Sequence, residues 1–142
     1  MTEDEEYKNF KREKVSVLKP AFEKDGVLTA ISSSKINDAG IALVLMSEEA
    51  MKRYNCTPMA RIVGIADGAM DPIDFTIAIS EAVKPLLRDS GLKTNQIDYF
   101  ELNEAFAVTA LSNAIILGID HERLNIWGSA ISYGHPIGYV YF

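Results

Sequence analysis

Cysteine occurs once in these 142 residues, at Cys56, and histidine twice, at His121 and His135. One thiol excludes an internal disulfide framework and a cysteine-rich metal site, and two unpatterned histidines do not suggest zinc. Basic charge is also short. Fourteen Lys and Arg against 20 Asp and Glu leave a formal charge of −6, which argues against nucleic acid or an anionic membrane as the main partner. No run approaches the ~18 apolar residues that a membrane helix needs. The opening Met1–Lys8 is acidic, unlike a secretory signal or a mitochondrial presequence. Asn55-Cys56-Thr57 matches a glycosylation sequon, but with no signal segment the match reads as chance. Internal repeats and low-complexity stretches are lacking too. What is plentiful is apolar side chain, 48% of the chain, enough to bury one ordinary core.

The chain reads in order as follows. Residues 3–14 are a charge run, acidic then basic, expected to form a solvated arm. Val15–Phe22 is a connector holding Pro20, and Lys24-Asp25-Gly26 is a turn leading into Val27–Ala30. Ser32–Gly40 is a small-residue loop without a phosphate-cradle pattern; its serines suit turns. Ile41–Met46 is apolar throughout, as in a strand buried on both faces. Ser47 is placed to cap a short helix, with Glu48 and Glu49 at its positive end, finishing near Asn55. Cys56, after that end, reads as an ordinary, partly buried cysteine. Pro58 precedes a further strand candidate, Ala60–Ala66. Met70–Phe75 is a loop. Ile77–Ser90 has helical spacing and stops at Gly91, although Pro85 should make it start late or kink.

The stretch from Ile97 to Gly138 organises the rest. Ile97–Leu102 is expected as a buried strand, Ile97 and Tyr99 alternating against Asp98. After Asn103-Glu104 a helix is predicted over Ala105–Leu117, apolar on nearly every side and therefore buried, with Gly118 suited to a left-handed cap. Leu124–Ala130 is expected as a second strand, and Pro136 suits the first turn of a helix. The sum is β-α-β-α-β-α-β: an α/β fold with a mostly parallel sheet and helices on its faces. A right-handed crossover would make the two last strands parallel. Asn103 and His135 would then lie just past their carboxyl ends, where such sheets place ligands. Spacing leaves two readings open. Asn103 and His135 converge for chemistry, or one caps a helix and the other fills a turn.

Beyond spacing, the motifs carry a resemblance. Asn103-Glu104-Ala105-Phe106, Gly134–Gly138 (GHPIG), the block Thr29–Met46 and Asp71–Phe75 (DPIDF) resemble signature blocks of the thiolases, acetyl-CoA acetyltransferases. The similarity runs in register over residues 5–138 and is nearest to the mitochondrial acetoacetyl-CoA type. It implies a thiolase-like fold represented incompletely: residues 1–57 as the end of the N-terminal domain and adjoining loop region, and residues 58–142 as a truncated C-terminal domain. It also implies transfer of an acetyl group between coenzyme A thioesters through an acyl-cysteine, with roles in fatty-acid, ketone-body and isoleucine metabolism.

The resemblance implies two catalytic residues. His135 would activate the nucleophilic cysteine and donate to the thioester oxygen, and Asn103 would hold a water completing the oxyanion hole. Ketoacyl-synthase-type enzymes carry a histidine where Asn103 stands, which favours thiolase. Ser34, Ala30 and Phe22 match coenzyme A contacts, Phe75 an acyl-pocket position, and Ala105 and Phe106 substrate-side positions of the NEAF block. Backbone carbonyls around Ala30 and Ser33 match a potassium loop, with Ile31, Ser32 and Lys35 departing from its usual residues; Ser129 and Tyr133 depart more mildly beside His135. No covalent cofactor is implied. The expected partners are acetyl-CoA or acetoacetyl-CoA and, in the complete enzyme, further copies in a dimer or tetramer. The expected location is mitochondrial, with cytoplasmic as the alternative. Neither the family's nucleophilic cysteine nor its second catalytic cysteine has a counterpart here, so the chain alone is expected to be inactive. The alternative is a non-catalytic coenzyme A-binding or subunit-assembly module.

Overall fold

A computed structural model of the chain describes residues 6–139, apart from the side chains of Glu6, Tyr7 and Tyr139. The expectations for the first five residues and for the tail after Tyr139 lie outside the described residues.

The best-packed part is built on two helices. The first, α3 (Ala78–Ser90), follows α1 (Glu6–Asn9) and α2 (Glu48–Arg53) in chain order. It begins after a 3-10 turn at Pro72–Ile77 and ends at Gly91, whose φ of 71° is left-handed, a conformation that glycine adopts without a Cβ penalty. Pro85 stays inside α3 as its eighth residue, so the expected late start does not clear it. The second helix, α4 (Ala107–Leu117), ends as expected at Gly118, with φ 65°. It begins at Ala107 rather than Ala105, and Phe106 holds the cap position. Asn103 therefore does not cap the helix.

Thr109, Ala110, Asn113 and Ala114 form the buried face of α4. All-round burial is not found, because Leu111 and Ile116 are exposed and Ile115 is 79% exposed. An apolar circumference records what a helix can bury, whereas burial itself requires a packed layer on each side. The inner face meets a core of Phe100, Leu102, Ala114 and Ile119, with Ile79, Ile97, Leu117 and Leu124 packed around it. Tyr99 points to solvent, contrary to the expected alternation. The physical reason is that Ile97 ends the 3-10 turn at Thr94–Gln96, so the inward positions are Phe100 and Leu102.

A fully buried asparagine joins the two helices. Asn113 Oδ1 accepts from the Ser80 N–H at 2.8 Å and the Ser80 hydroxyl at 2.6 Å. Its Nδ2 donates to Thr76 O at 2.8 Å and Thr109 O at 2.7 Å. Such a group is tolerable in a core only when satisfied in this way.

The expected sheet is not formed as a ladder among the described residues. Pairing there is confined to three isolated bridges: Phe100 with Leu124 (parallel), Ile36 with His135 (parallel), and Ser33 with Phe106 (antiparallel). The first joins the two segments predicted as parallel neighbours, through Phe100 N–H to Arg123 O and Asn125 N–H to Phe100 O, both 2.8 Å. Beyond Leu124 the predicted strand gives way to a turn and to α5 (Ala130–Tyr133). Ile41–Met46 and Ala60–Ala66 form no ladder either, and their side chains lie exposed, Val44 at 84% and Ile65 at 87%. Their composition suits a strand covered on both faces, and neither face is covered.

The helix expected at Ser47 is α2. The Ser47 hydroxyl accepts from Ala50 N–H at 3.2 Å. Hydrogen bonding from its own backbone N–H and from Ser47 holds the Glu49 carboxyl below its ordinary value. Cys56, expected to be partly buried, is exposed. No helix among the described residues is long and apolar enough to cross a membrane.

Candidate functional site

His135 follows a glycine that its backbone demands. Gly134 has φ 104°, and a Cβ there would stand 2.5 Å from Asn37 Cγ. The close neighbour belongs to the loop of residues 33–37, which docks along the His135 segment. His135 N–H donates to Lys35 O at 2.6 Å, and Asn37 Nδ2 donates to Tyr133 O at 3.3 Å. The same loop is tied on its other side to the NEAF segment, since Ser34 N–H donates to Ala105 O at 3.0 Å and Ser33 bridges Phe106. Residues 33–37 thus sit between the two motifs and bring them together.

The half-buried imidazole of His135 has a partner on each nitrogen. Asn103 Nδ2 lies 3.1 Å from Nε2, and the Ser34 hydroxyl oxygen lies 3.3 Å from Nδ1. An amide NH2 can only donate, so Nε2 must present its lone pair. A neutral ring then carries its proton on Nδ1 and donates it to Ser34. Asn103 is itself exposed, so the outer edge of this pair faces solvent. The two side chains are in contact, and the cap of α4 is Phe106 rather than Asn103.

An aromatic cluster adjoins them. The Phe106 ring meets Phe22 edge-on at 5.5 Å between centroids and Phe75 at 6.2 Å. Phe22 and Phe75 are both largely exposed. The exposed Ala30 lies in a 3-10 turn, Ala30–Ser32, where the Ser32 and Ser33 hydroxyls both donate to Thr29 O. The structure therefore gathers Phe22, Ser34, Phe75, Asn103, Ala105, Phe106 and His135 through direct contacts, and sets Ala30 and Ser33 in the turn leading into them.

Cys56 is not among these contacts. It closes α2, its N–H donating to Met51 O and its thiol to Tyr54 O. Sequence reading passes over Glu104 and Asn125, which tie the NEAF segment to the chain before His135. The available signal is weak: asparagine is among the few residues that tolerate a positive φ, and Asn125 has φ 48°, but it falls inside the strand expected over Leu124–Ala130.

Comparison with known proteins bears on the whole arrangement. Residues 56–140 match the thiolase C-terminal domain and residues 1–49 the thiolase N-terminal domain. The chain is 53% identical over 137 residues to the Xenopus laevis protein named acetyl-CoA acetyltransferase A, mitochondrial, a match covering 96% of this chain and 33% of that relative. It is 50% identical to the human protein named acetyl-CoA acetyltransferase, mitochondrial, covering 96% and 32%. A crystal structure of a thiolase from Ascaris suum in complex with coenzyme A superposes with a TM-score of 0.87 at 42% identity, covering 97% of this chain and 37% of that one. The chain spans about a third of the length of these curated relatives. In sequence and in fold, it belongs to the thiolase family.

Proposed function

We propose that these residues carry the histidine–asparagine part of an acetyl-CoA C-acetyltransferase, which condenses two acetyl-CoA molecules to acetoacetyl-CoA and runs the reverse thiolysis through an acyl-cysteine. The observation that carries this reading is the Asn103–His135 contact with Ser34 on the opposite ring nitrogen. With its own proton on Nδ1, a neutral imidazole can accept a thiol proton at Nε2 once the Asn103 amide turns to its water, and then donate it. Preorganised donors facing a forming enolate or thioester oxyanion are among the largest contributions to such catalysis. His135 takes the proton-transfer and oxyanion-donor role, and Asn103 orients the water that completes the hole. Ser34, Ala30 and Phe22 face the coenzyme A arm, and Phe75, Ala105 and Phe106 line the acyl side. The names of the relatives support acetyl-CoA as a partner and a mitochondrial location, with the cytoplasm as the alternative; acetoacetyl-CoA follows as the condensation product, and the complete enzyme acts as a homo-oligomer.

Potassium belongs to the same proposal. Carbonyl oxygens can replace the hydration shell of that ion, and those of Ala30 and Ser33 would hold it. It would order the loop leading into Ser34. The 142-residue chain alone is expected not to turn over, because its single thiol, Cys56, is engaged at the end of α2. A second reading is a coenzyme A-binding or subunit-assembly module, favoured by the exposed apolar segments Ile41–Met46 and Ala60–Ala66.

The test is a chimera carrying residues 6–138 in place of the matching third of the Xenopus laevis relative. It is expected to form acetoacetyl-CoA, and Asn103→Ala should lower kcat by about 10²–10³-fold, as loss of one oxyanion donor does elsewhere. An active chimera indifferent to both Asn103→Ala and His135→Ala would overturn the proposal.

A further inference from the structure

Glu104 has no part in the chemistry assigned above, yet its carboxylate links the two segments that carry Asn103 and His135. Asn125 Nδ2 donates to Oε1 at 2.8 Å, and Ile131 N–H donates to Oε2 at 3.4 Å. Ile131 lies in α5, which ends at Tyr133, two residues before His135. The residue on the other side of Asn103 is anchored as well. Leu102 N–H donates to Asn125 Oδ1 at 2.7 Å, and Leu102 O accepts from Asn125 Nδ2 at 2.9 Å and from the Ser129 hydroxyl at 3.0 Å. Asn103, exposed and outside this network, is thus suspended between two anchored neighbours.

We propose that Glu104 is a positioning residue: it clamps the Asn103 segment to the segment of residues 125–135, so that the Asn103 amide meets Nε2 and keeps the His135 proton on Nδ1. The donor–acceptor pattern explains why a carboxylate stands here. Both of its partners are N–H donors, so both oxygens must accept. A glutamine of the same shape would turn an NH2 group toward one of those donors. The link is short in space and direct: Glu104 to Ile131 within α5, and α5 to His135. The purpose of the clamp rests on the acyl-transfer reading of Asn103 and His135, whereas its effect on the ring does not.

The experiment is long-range ¹H–¹⁵N spectroscopy of the labelled 142-residue chain, comparing the wild type with Glu104→Gln and Glu104→Asp. Only two imidazoles contribute, and a His121→Gln sample assigns them. His121 lies in a separate 3-10 turn, His121–Arg123, and serves as the internal control. In the wild type, neutral His135 is expected with its proton on Nδ1 and a bare Nε2. In Glu104→Gln the His135 signals should shift toward the Nε2-protonated form that the free side chain favours, while His121 is unmoved. Glu104→Asp keeps both acceptors one methylene short and should give a smaller shift in the same direction; it decides the matter if Glu104→Gln does not fold. A folded variant whose His135 tautomer is unchanged, even with a lowered melting temperature, would show a structural role only and overturn the proposal. So would a wild-type His135 already protonated on Nε2. The readout needs no coenzyme A, so failure of the chimera bears on the proposed function alone.

Discussion

Ile41–Met46 and Ala107–Leu117 are both largely apolar, yet one lies open to solvent and the other turns Ala110 and Ala114 into the core. The difference is not in hydrophobicity. Ala107–Leu117 satisfies its backbone internally as a helix and finds α3 and the Phe100–Leu102 segment near it in sequence. An extended segment has no such internal solution. Its N–H and C=O groups need neighbouring strands, and its two faces need covering layers. Local elements can therefore be complete in a stretch of chain that leaves strand-like segments unfinished. The site belongs to the first kind. Asn103, Ser34 and His135 are held by turns, caps and single bridges, none of which requires a wide sheet.

The contrast is broken most strongly at Asn113. Asn113→Ala removes four hydrogen bonds at once and strands the buried Ser80 and the half-buried Thr76 carbonyl. Unsatisfied buried groups of this kind cost about 1–3 kcal/mol each, so a loss on the order of 3 kcal/mol is expected in a urea unfolding curve. A change under about 1 kcal/mol would mean that the joint between α3 and α4 does not hold this region together.

A middle effect is expected at Gly134. Gly134→Ala forces a left-handed φ on a residue with a Cβ and drives that atom into Asn37, a strain on the order of 1–3 kcal/mol. Relief requires the loop of residues 33–37 to move, taking Ser34 away from Nδ1. Imidazole spectra should then show His135 disturbed and His121 unchanged, while the amides of α4 keep their positions. Disturbance spread evenly over α4 would show that the site and the helical core are one unit.

The smallest effect belongs to the open segment. Leu45, 73% exposed, has nothing to lose on truncation, so Leu45→Ser should alter stability by no more than about 0.5 kcal/mol. It should, however, reduce binding of a hydrophobic dye and self-association in sizing experiments, since a contiguous exposed apolar patch is what such assays detect. A stability loss like that at Asn113 would mean that Ile41–Met46 is packed after all, and the comparison would fail.

Sequence alone was decisive wherever the physics is local. Ser47 as a helix cap, and Gly91 and Gly118 as helix stops, follow from one residue's chemistry and its immediate neighbours. The NEAF and GHPIG blocks likewise carry the family on their face. Tertiary structure decided what depends on a partner distant in the chain. It determined that Ile41–Met46 would be bare, that Ile115 would face outward, and that the segment after Leu124 would turn rather than run on. It also brought the Asn103 side chain against His135, because a 3.1 Å contact across 32 residues has no trace in spacing. Glu104 and Asn125 were hidden for the same reason: periodicity reports which side chains can be buried, and only the folded chain shows which donors meet which acceptors.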